Sequence, residues 1–230
     1  MVGSIPGPVA QISHTALRAN AAPWSGGDAA ADLRADAWGH GAVEVAATLL
    51  ETGIARVVVE PAQRDDLAER FGSDRVLEHL PGGRCVDLVT LFGLSGDGGH
   101  AVMRLSGSVL SVKELRAGEG VSYGYTHRAA GDTRIALVTG GYAQGIVRAL
   151  GNRVTVTAAG ERHPIIGRVA MDVCVIEIGA ADLARGDDVV FFGEPDAGEP
   201  PVRDWSEATG LHAAEIITVV GLRAGREHLR

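Results

Sequence analysis

The repeat of apolar positions changes along the chain. In the first part apolar residues recur every three to four positions; in the second they alternate, and that change predicts two structural textures. His14 to Trp24 predicts a short helix with Leu17 and Ala21 on one face, broken by Gly26-Gly27-Asp28. Ala42 to Thr52 predicts a helix with Val43, Ala46, Ala47 and Leu50 at helical spacing, stopped by Gly53. Arg56-Val57-Val58-Val59-Glu60 reads as a strand, and Pro61 opens a helix that runs to Phe71. A strand–helix order of this kind implies parallel pairing with right-handed crossovers.

Gly96-Asp97-Gly98-Gly99 is the expected hinge, dividing residues 1–97 from 98–230. Beyond it the pattern predicts strands at Met103 to Val112, Arg134 to Val138, Arg153 to Ala158, Ile165 to Ile178 and Asp188 to Phe192. Gly-rich and Asp-rich turns separate them, as in a small β-barrel or sandwich. Glu194 to Pro201 reads as a loop, and Trp205 to Thr209 as a short helix closed by Gly210. Leu211 to Gly221 is a helix–strand passage into a basic tail. No solenoid period repeats.

Composition narrows the function classes. A hydrophobic content of 46% indicates a folded globular chain. A net charge of −8 argues against nucleic acid and against an anionic membrane surface as partners. No apolar run reaches the ~20 residues of a membrane span. Met1 to Ala10 lacks the basic-then-apolar pattern of a secretory signal, so the expected location is the cytoplasm. Cys85 and Cys174 are too few for a disulfide framework. The eight histidines, His40, His127 and His163 among them, show no paired metal spacing, and no metal is expected. Neither a Gly-x-Gly-x-x-Gly nor a P-loop pattern occurs.

Four segments carry the candidate chemistry. Leu33-Arg34-Ala35-Asp36-Ala37-Trp38-Gly39-His40-Gly41 resembles the Val-Lys-Ala-Asp-Ala-Tyr-Gly-His-Gly motif of the pyridoxal-phosphate-dependent alanine racemases. Gly118 to Thr126 resembles that family's Gly-Glu-x-Val-Ser-Tyr-Gly-x-Thr, with Tyr123 at the tyrosine. Gly140-Gly141-Tyr142-Ala143-Gln144-Gly145, with Arg148 after it, is similar to Gly-Tyr-Ala-Asp-Gly and its nearby arginine. Pro164 to Asp172 is similar to Pro-Ile-Val-Gly-Arg-x-x-Met-Asp, which brings in Met171 and Asp172. Order and approximate spacing agree across all four.

The resemblance implies a (β/α) barrel followed by a mostly β C-terminal domain, with Ala31 to Ala35 as the first barrel strand. A complete barrel takes ~250 residues. From Cys85 the chain already resembles the family's exit from its barrel, so only a remnant is expected, with the pyridine-contacting segment absent. The resemblance also implies that the family's Schiff-base lysine stands at Arg34. A guanidinium stays protonated and cannot take that role. Lys113 is the only lysine in the chain, so Arg34 reads either as drift in an arginine-favouring genome or as a new anion contact. Trp38 and Ala214 stand where the resemblance places phosphate-binding hydroxyls, and Gln144 replaces an aspartate.

On this reading Tyr123 is either a surviving acid/base or a structural turn residue. Trp38, Tyr142, Arg148, Met171 and Asp172 line a candidate cofactor or ligand pocket; the alternative for Asp172 is an ordinary ion pair with Arg148 or Arg168. No covalent cofactor is expected; pyridoxal phosphate would be held only weakly and non-covalently. Function divides three ways. The first is a racemase-like protein without racemase activity that keeps the β-domain and its dimer surface, as a homodimer or a heterodimer with a full-length racemase. The second is a cofactor-free isomerase, epimerase or cyclase that uses Tyr123. The third is a pyridoxal-phosphate-dependent racemase. The sequence leaves open whether the chain is an enzyme.

Overall fold

The computed structural model describes residues 7–96 and 98–230. Its larger sheet closes on itself. The long strand Met103–Leu115 pairs through its first half with Asp188–Phe192 and through its second half with Thr133–Thr139. The ring continues through Val173–Glu177, Glu161–Ile166 and Thr155–Ala158 back to Asp188–Phe192. Six antiparallel strands thus form a closed barrel, which has no free edge. The register shifts between Val109 and Ser111 and between Val190 and Phe192, where local irregularity bends the strands round the ring.

Two strands extend this sheet. Val9–Ser13 lies antiparallel to the first half of Met103–Leu115, and Gly225–Leu229 lies parallel beside Val9–Ser13. The sequence reading gives no strand at Val9–Ser13. Its alternation buries only Ala10 and Ile12, too little signal in five residues. The strand crosses the division at Gly96–Gly99, because it precedes the remnant in the chain yet belongs to the sheet that follows it. The basic tail is likewise a strand rather than an appendage. Before it, the helix Ala213–Arg223 starts at a capping box, in which Glu215 accepts from the His212 N–H at 2.7 Å.

The expected strand Ile165 to Ile178 is in fact two. Glu161–Ile166 and Val173–Glu177 run antiparallel, joined by a turn over 167–172. Gly167 ends the first strand at φ +69°, and a Cβ there would meet the Ser122 Cβ at 2.8 Å. Gly167-Arg168 and Asp172 mark this turn in the sequence, but the apolar residues on both sides read as one strand.

The barrel remnant is a small open sheet. Ala30–Asp32, Arg56–Val58 and Val76–Leu77 pair in parallel, with the helices Ala42–Thr52 and Pro61–Phe71 between them. On the far side Cys85 makes a single parallel bridge to Ala30. The first strand is shorter than the expected Ala31 to Ala35, because the backbone leaves the extended region after Asp32. The helix Ala42–Thr52 has the predicted span but a rotated face. Ala42, Val45, Ala46 and Leu49 are buried, while Val43 stays exposed. Almost every position of this helix is apolar or small, so periodicity alone left the buried stripe undetermined.

One apolar cluster runs through both sheets, from Ala10 to Val220. Trp205 is fully buried in it, edge-on to Phe192 at 5.1 Å and to Phe191 at 6.4 Å. Remnant and barrel therefore share a core.

Candidate functional site

After Asp32 the chain enters a left-handed helical turn. Ala35, Asp36, Ala37 and Trp38 all have φ between 52° and 54°. Each L-residue held there costs ~1–2 kcal/mol against the right-handed helix, so the surroundings must fix the turn. Asp36 does much of this, accepting from the Ala42 N–H at 2.8 Å and pairing with Arg226 at 2.6 Å. Arg226 also donates to the Gly39 carbonyl at 3.0 Å. Gly39 then packs on Gly221 of the last helix, where a Cβ on Gly221 would sit 2.1 Å from the Gly39 oxygen. His40 is buried and stacks on Phe92 at 3.9 Å, with Nδ1 2.9 Å from the Ala37 carbonyl. Burial pushes its pKa down to about 4, which keeps the ring neutral.

Arg34 projects from the start of this turn. Its Nε and Nη2 both donate to the Asp32 carboxylate, a two-pronged fork. The guanidinium in turn holds Asp32 below the usual carboxylate range, chiefly through its side-chain hydrogen bonds. The guanidinium thus spends Nε and Nη2 on a carboxylate two residues away, while its side chain stays 47% exposed. Trp38 is half-buried, with its ring 5.8 Å from Phe92.

A second set of residues lies on the closed barrel. The turn over 167–172 zips to the loop that holds Tyr142. Gly140 N–H donates to the Asp172 carbonyl at 2.8 Å, Tyr142 N–H to Ala170 at 3.0 Å and Ala143 N–H to Met171 at 2.9 Å. Asp172 does not form the alternative ion pair with Arg148 or Arg168. Its carboxylate accepts from the Gln144 amide at 2.9 Å. The same Gln144 accepts from the Gly141 N–H at 3.0 Å. An aspartate at 144 would face Asp172 as a like charge, so the glutamine suits its setting. Arg148 lies 5.9 Å from the Tyr142 ring centroid, near the outer limit of a cation–π contact.

Tyr123 sits at the tip of the hairpin formed by Gly120–Val121 and His127–Arg128. The hairpin is anchored from below. Asn152 donates to Thr126 Oγ1 at 3.3 Å and accepts from the Gly167 N–H at 2.7 Å, while Arg168 underlies Gly124. Tyr123 itself is 83% exposed, and among the described residues its hydroxyl has no hydrogen-bond partner. Met171 is exposed as well.

The structure therefore gathers Tyr142, Arg148, Met171 and Asp172 on one side of the barrel, with the Tyr123 hairpin tied to the same turn. It leaves Arg34 and Trp38 in a separate group. The helix Ala213–Arg223 lies between the groups: Gly39 packs on it at Gly221, and Gly145 packs on it at Val220. Sequence reasoning missed Asp32, Asn152 and Arg226. Asp32 was open to detection, two residues before Arg34. Arg226 lies 190 residues from Asp36, and no local signal connects them. Among the described residues no group of three or more His, Cys, Asp or Glu is placed to hold a metal, and no helix is long and apolar enough to cross a membrane.

A family model described as alanine racemase, C-terminal domain, matches residues 102–228. The chain belongs to the alanine racemase family. The alanine racemase of Mycobacterium avium (strain 104) is 41% identical over 138 residues, 56% of this chain and 36% of that protein. That of Thermobifida fusca (strain YX) is 40% identical over 146 residues, 64% of this chain and 39% of that protein. The chain thus spans little more than a third of the length of the curated relatives it matches. Alanine racemase from D-cycloserine-producing Streptomyces lavendulae superposes with a TM-score of 0.84 at 22% identity, covering 99% of this chain and 98% of that one. The Bacillus anthracis alanine racemase solved with bound L-Ala-P gives 0.80 at 17%, covering 100% and 96%. At those identities the likeness carries the fold alone.

At the position where the resemblance implies a cofactor lysine, Arg34 donates to Asp32, and neither Trp38 nor Ala214, where it implies phosphate contacts, carries a hydroxyl.

Proposed function

We propose that this alanine racemase homologue does not racemise alanine and acts in the cytoplasm as a binding module. It forms a homodimer, or a heterodimer with a full-length racemase, and offers Tyr123 in trans. The observation that carries this reading is the contrast between its two groups of site residues. Arg34 is spent on an internal ion pair, whereas Tyr123 stands exposed on a hairpin braced by Asn152 and Arg168. Abstraction of a proton from an amino-acid α-carbon needs an electron sink that a tyrosine does not provide. Without a covalent cofactor in its own chain, Tyr123 meets such a sink at a site completed by another chain.

Light scattering over a range of concentrations, with and without a full-length racemase from the same source, tests the assembly. The expected result is a dimer mass or a heterodimer mass, reduced towards monomer in Tyr123→Ala/Met171→Asp. A monomer that ignores the racemase removes this reading and leaves the cofactor-free isomerase, epimerase or cyclase. Chemistry is tested separately. After incubation with pyridoxal phosphate and borohydride reduction, mass analysis should show no stoichiometric adduct at Lys113, the only lysine, that accompanies racemase activity. Arg34→Lys should still form no appreciable D-alanine with excess cofactor, since each missing charge-assisted contact costs ~1.5–3 kcal/mol.

A further inference from the structure

A pair of imidazoles outside the four motif segments lies where four elements meet. His14, at the start of the helix His14–Ala21, is 3% exposed. Its Nε2 is 2.9 Å from Nδ1 of His228 in the C-terminal strand, and its Nδ1 is 2.5 Å from Thr48 Oγ1. The other nitrogen of His228, Nε2, faces the Glu44 carboxylate at 3.9 Å. The Gly-His-Gly turn closes the fourth side, where a Cβ on Gly41 would sit 3.0 Å from the His228 ring. His14 and His228 are 214 residues apart, so no spacing rule links them.

One arrangement of protons satisfies every contact. The Thr48 hydroxyl donates to His14 Nδ1, His14 Nε2–H donates to His228 Nδ1, and His228 Nε2–H points to Glu44. Both rings are then neutral. A single added proton is accommodated if His14 Nδ1 carries it and the Thr48 hydroxyl turns to accept. A second proton places N–H groups on both facing nitrogens, which cannot stay 2.9 Å apart.

We propose that the His14–His228 pair is a proton-sensitive clasp that docks the C-terminal strand onto the remnant at neutral pH and lets it go in mild acid. The clasp reaches further through Arg226, two residues from His228, which grips Asp36 and the Gly39 carbonyl. Release of the strand therefore loosens the left-handed turn.

The charges around the pair act in both directions. Arg18 on the helix His14–Ala21, with Arg226 and Arg230 on the C-terminal segment, disfavours it; Glu44 and Asp36 favour it; His40, buried alongside, is neutral. Burial is the largest influence on both rings and lowers both pKa values. A folded pKa below the unfolded value means that the released form binds protons more readily. The clasp therefore holds fully above the ordinary histidine pKa of 6.5 and weakens as the pH falls below it. The two rings titrate as a coupled pair.

Amide hydrogen exchange read by mass spectrometry on the full chain at pH 7.5 and pH 5.0, corrected for intrinsic rates, tests the clasp. Protection across 225–229 and 35–41 should fall at least tenfold in acid, while the closed barrel keeps its protection. His14→Leu/His228→Leu should show no such difference between the two pH values. The same acid loss in that variant, or none in the unaltered protein, overturns the proposal. Should the variant not fold, histidine titration by NMR on the unaltered protein decides. Two separated steps lying below the ordinary value support the clasp, and two independent titrations at 6.5 exclude it.

Discussion

The six-stranded barrel and the three-stranded remnant solve the problem of sheet edges in opposite ways. The barrel closes through the pairing of Asp188–Phe192 with Met103–Leu115, so every strand has two neighbours. The remnant stays open, with two-residue pairing at Val76–Leu77 on one side and a single bridge at Cys85 on the other. It keeps those edges short. It also leans on the rest of the chain through Arg226 on Asp36, Gly221 on Gly39 and Phe92 on His40. A partial (β/α) unit can persist when a complete domain supplies the contacts that its missing strands do not.

The hardest blow to that comparison is Trp205→Ala. Trp205 belongs to the cluster shared by both sheets, and its loss should cost ~3–5 kcal/mol. Urea unfolding followed by far-UV circular dichroism should still show one transition, at lower urea. Two separated transitions would mean that remnant and barrel are energetically independent. Gly221→Ala tests the link itself. The added methyl would lie 2.1 Å from the Gly39 oxygen, and the forced displacement should cost ~1–3 kcal/mol. Hydrogen exchange should quicken across residues 35–41 before it changes in the closed barrel. The smallest effect has the opposite sign. Ala35 is exposed and left-handed at φ 54°, so Ala35→Gly should stabilise the protein by up to ~1 kcal/mol. A lower urea midpoint in that variant would contradict the left-handed turn.

Much of this was legible in the sequence. Pro61–Phe71 and Asp188–Phe192 fall where a proline start and an apolar run place them. The elements that escaped depend on partners far away in the chain. Val9–Ser13 is a strand because Met103–Leu115 and Gly225–Leu229 flank it. At Ala35 to Trp38 the residues have no preference for left-handed backbone; tertiary contacts of Asp36 and Gly39 impose it. The site residues were found through motifs, but their pairing was not. Asp172 bonds to Gln144 because the turn over 167–172 carries its carboxylate to that amide, and that turn was read as part of a single strand.

The lone bridge between Ala30 and Cys85 has a consequence for how the chain is wired. It places the segment after the remnant beside the remnant's first strand, on the side away from Arg56–Val58. The segment from Leu77 to Cys85 therefore crosses back past all three strands of the small sheet, so the chain leaves it beside the strand by which it entered.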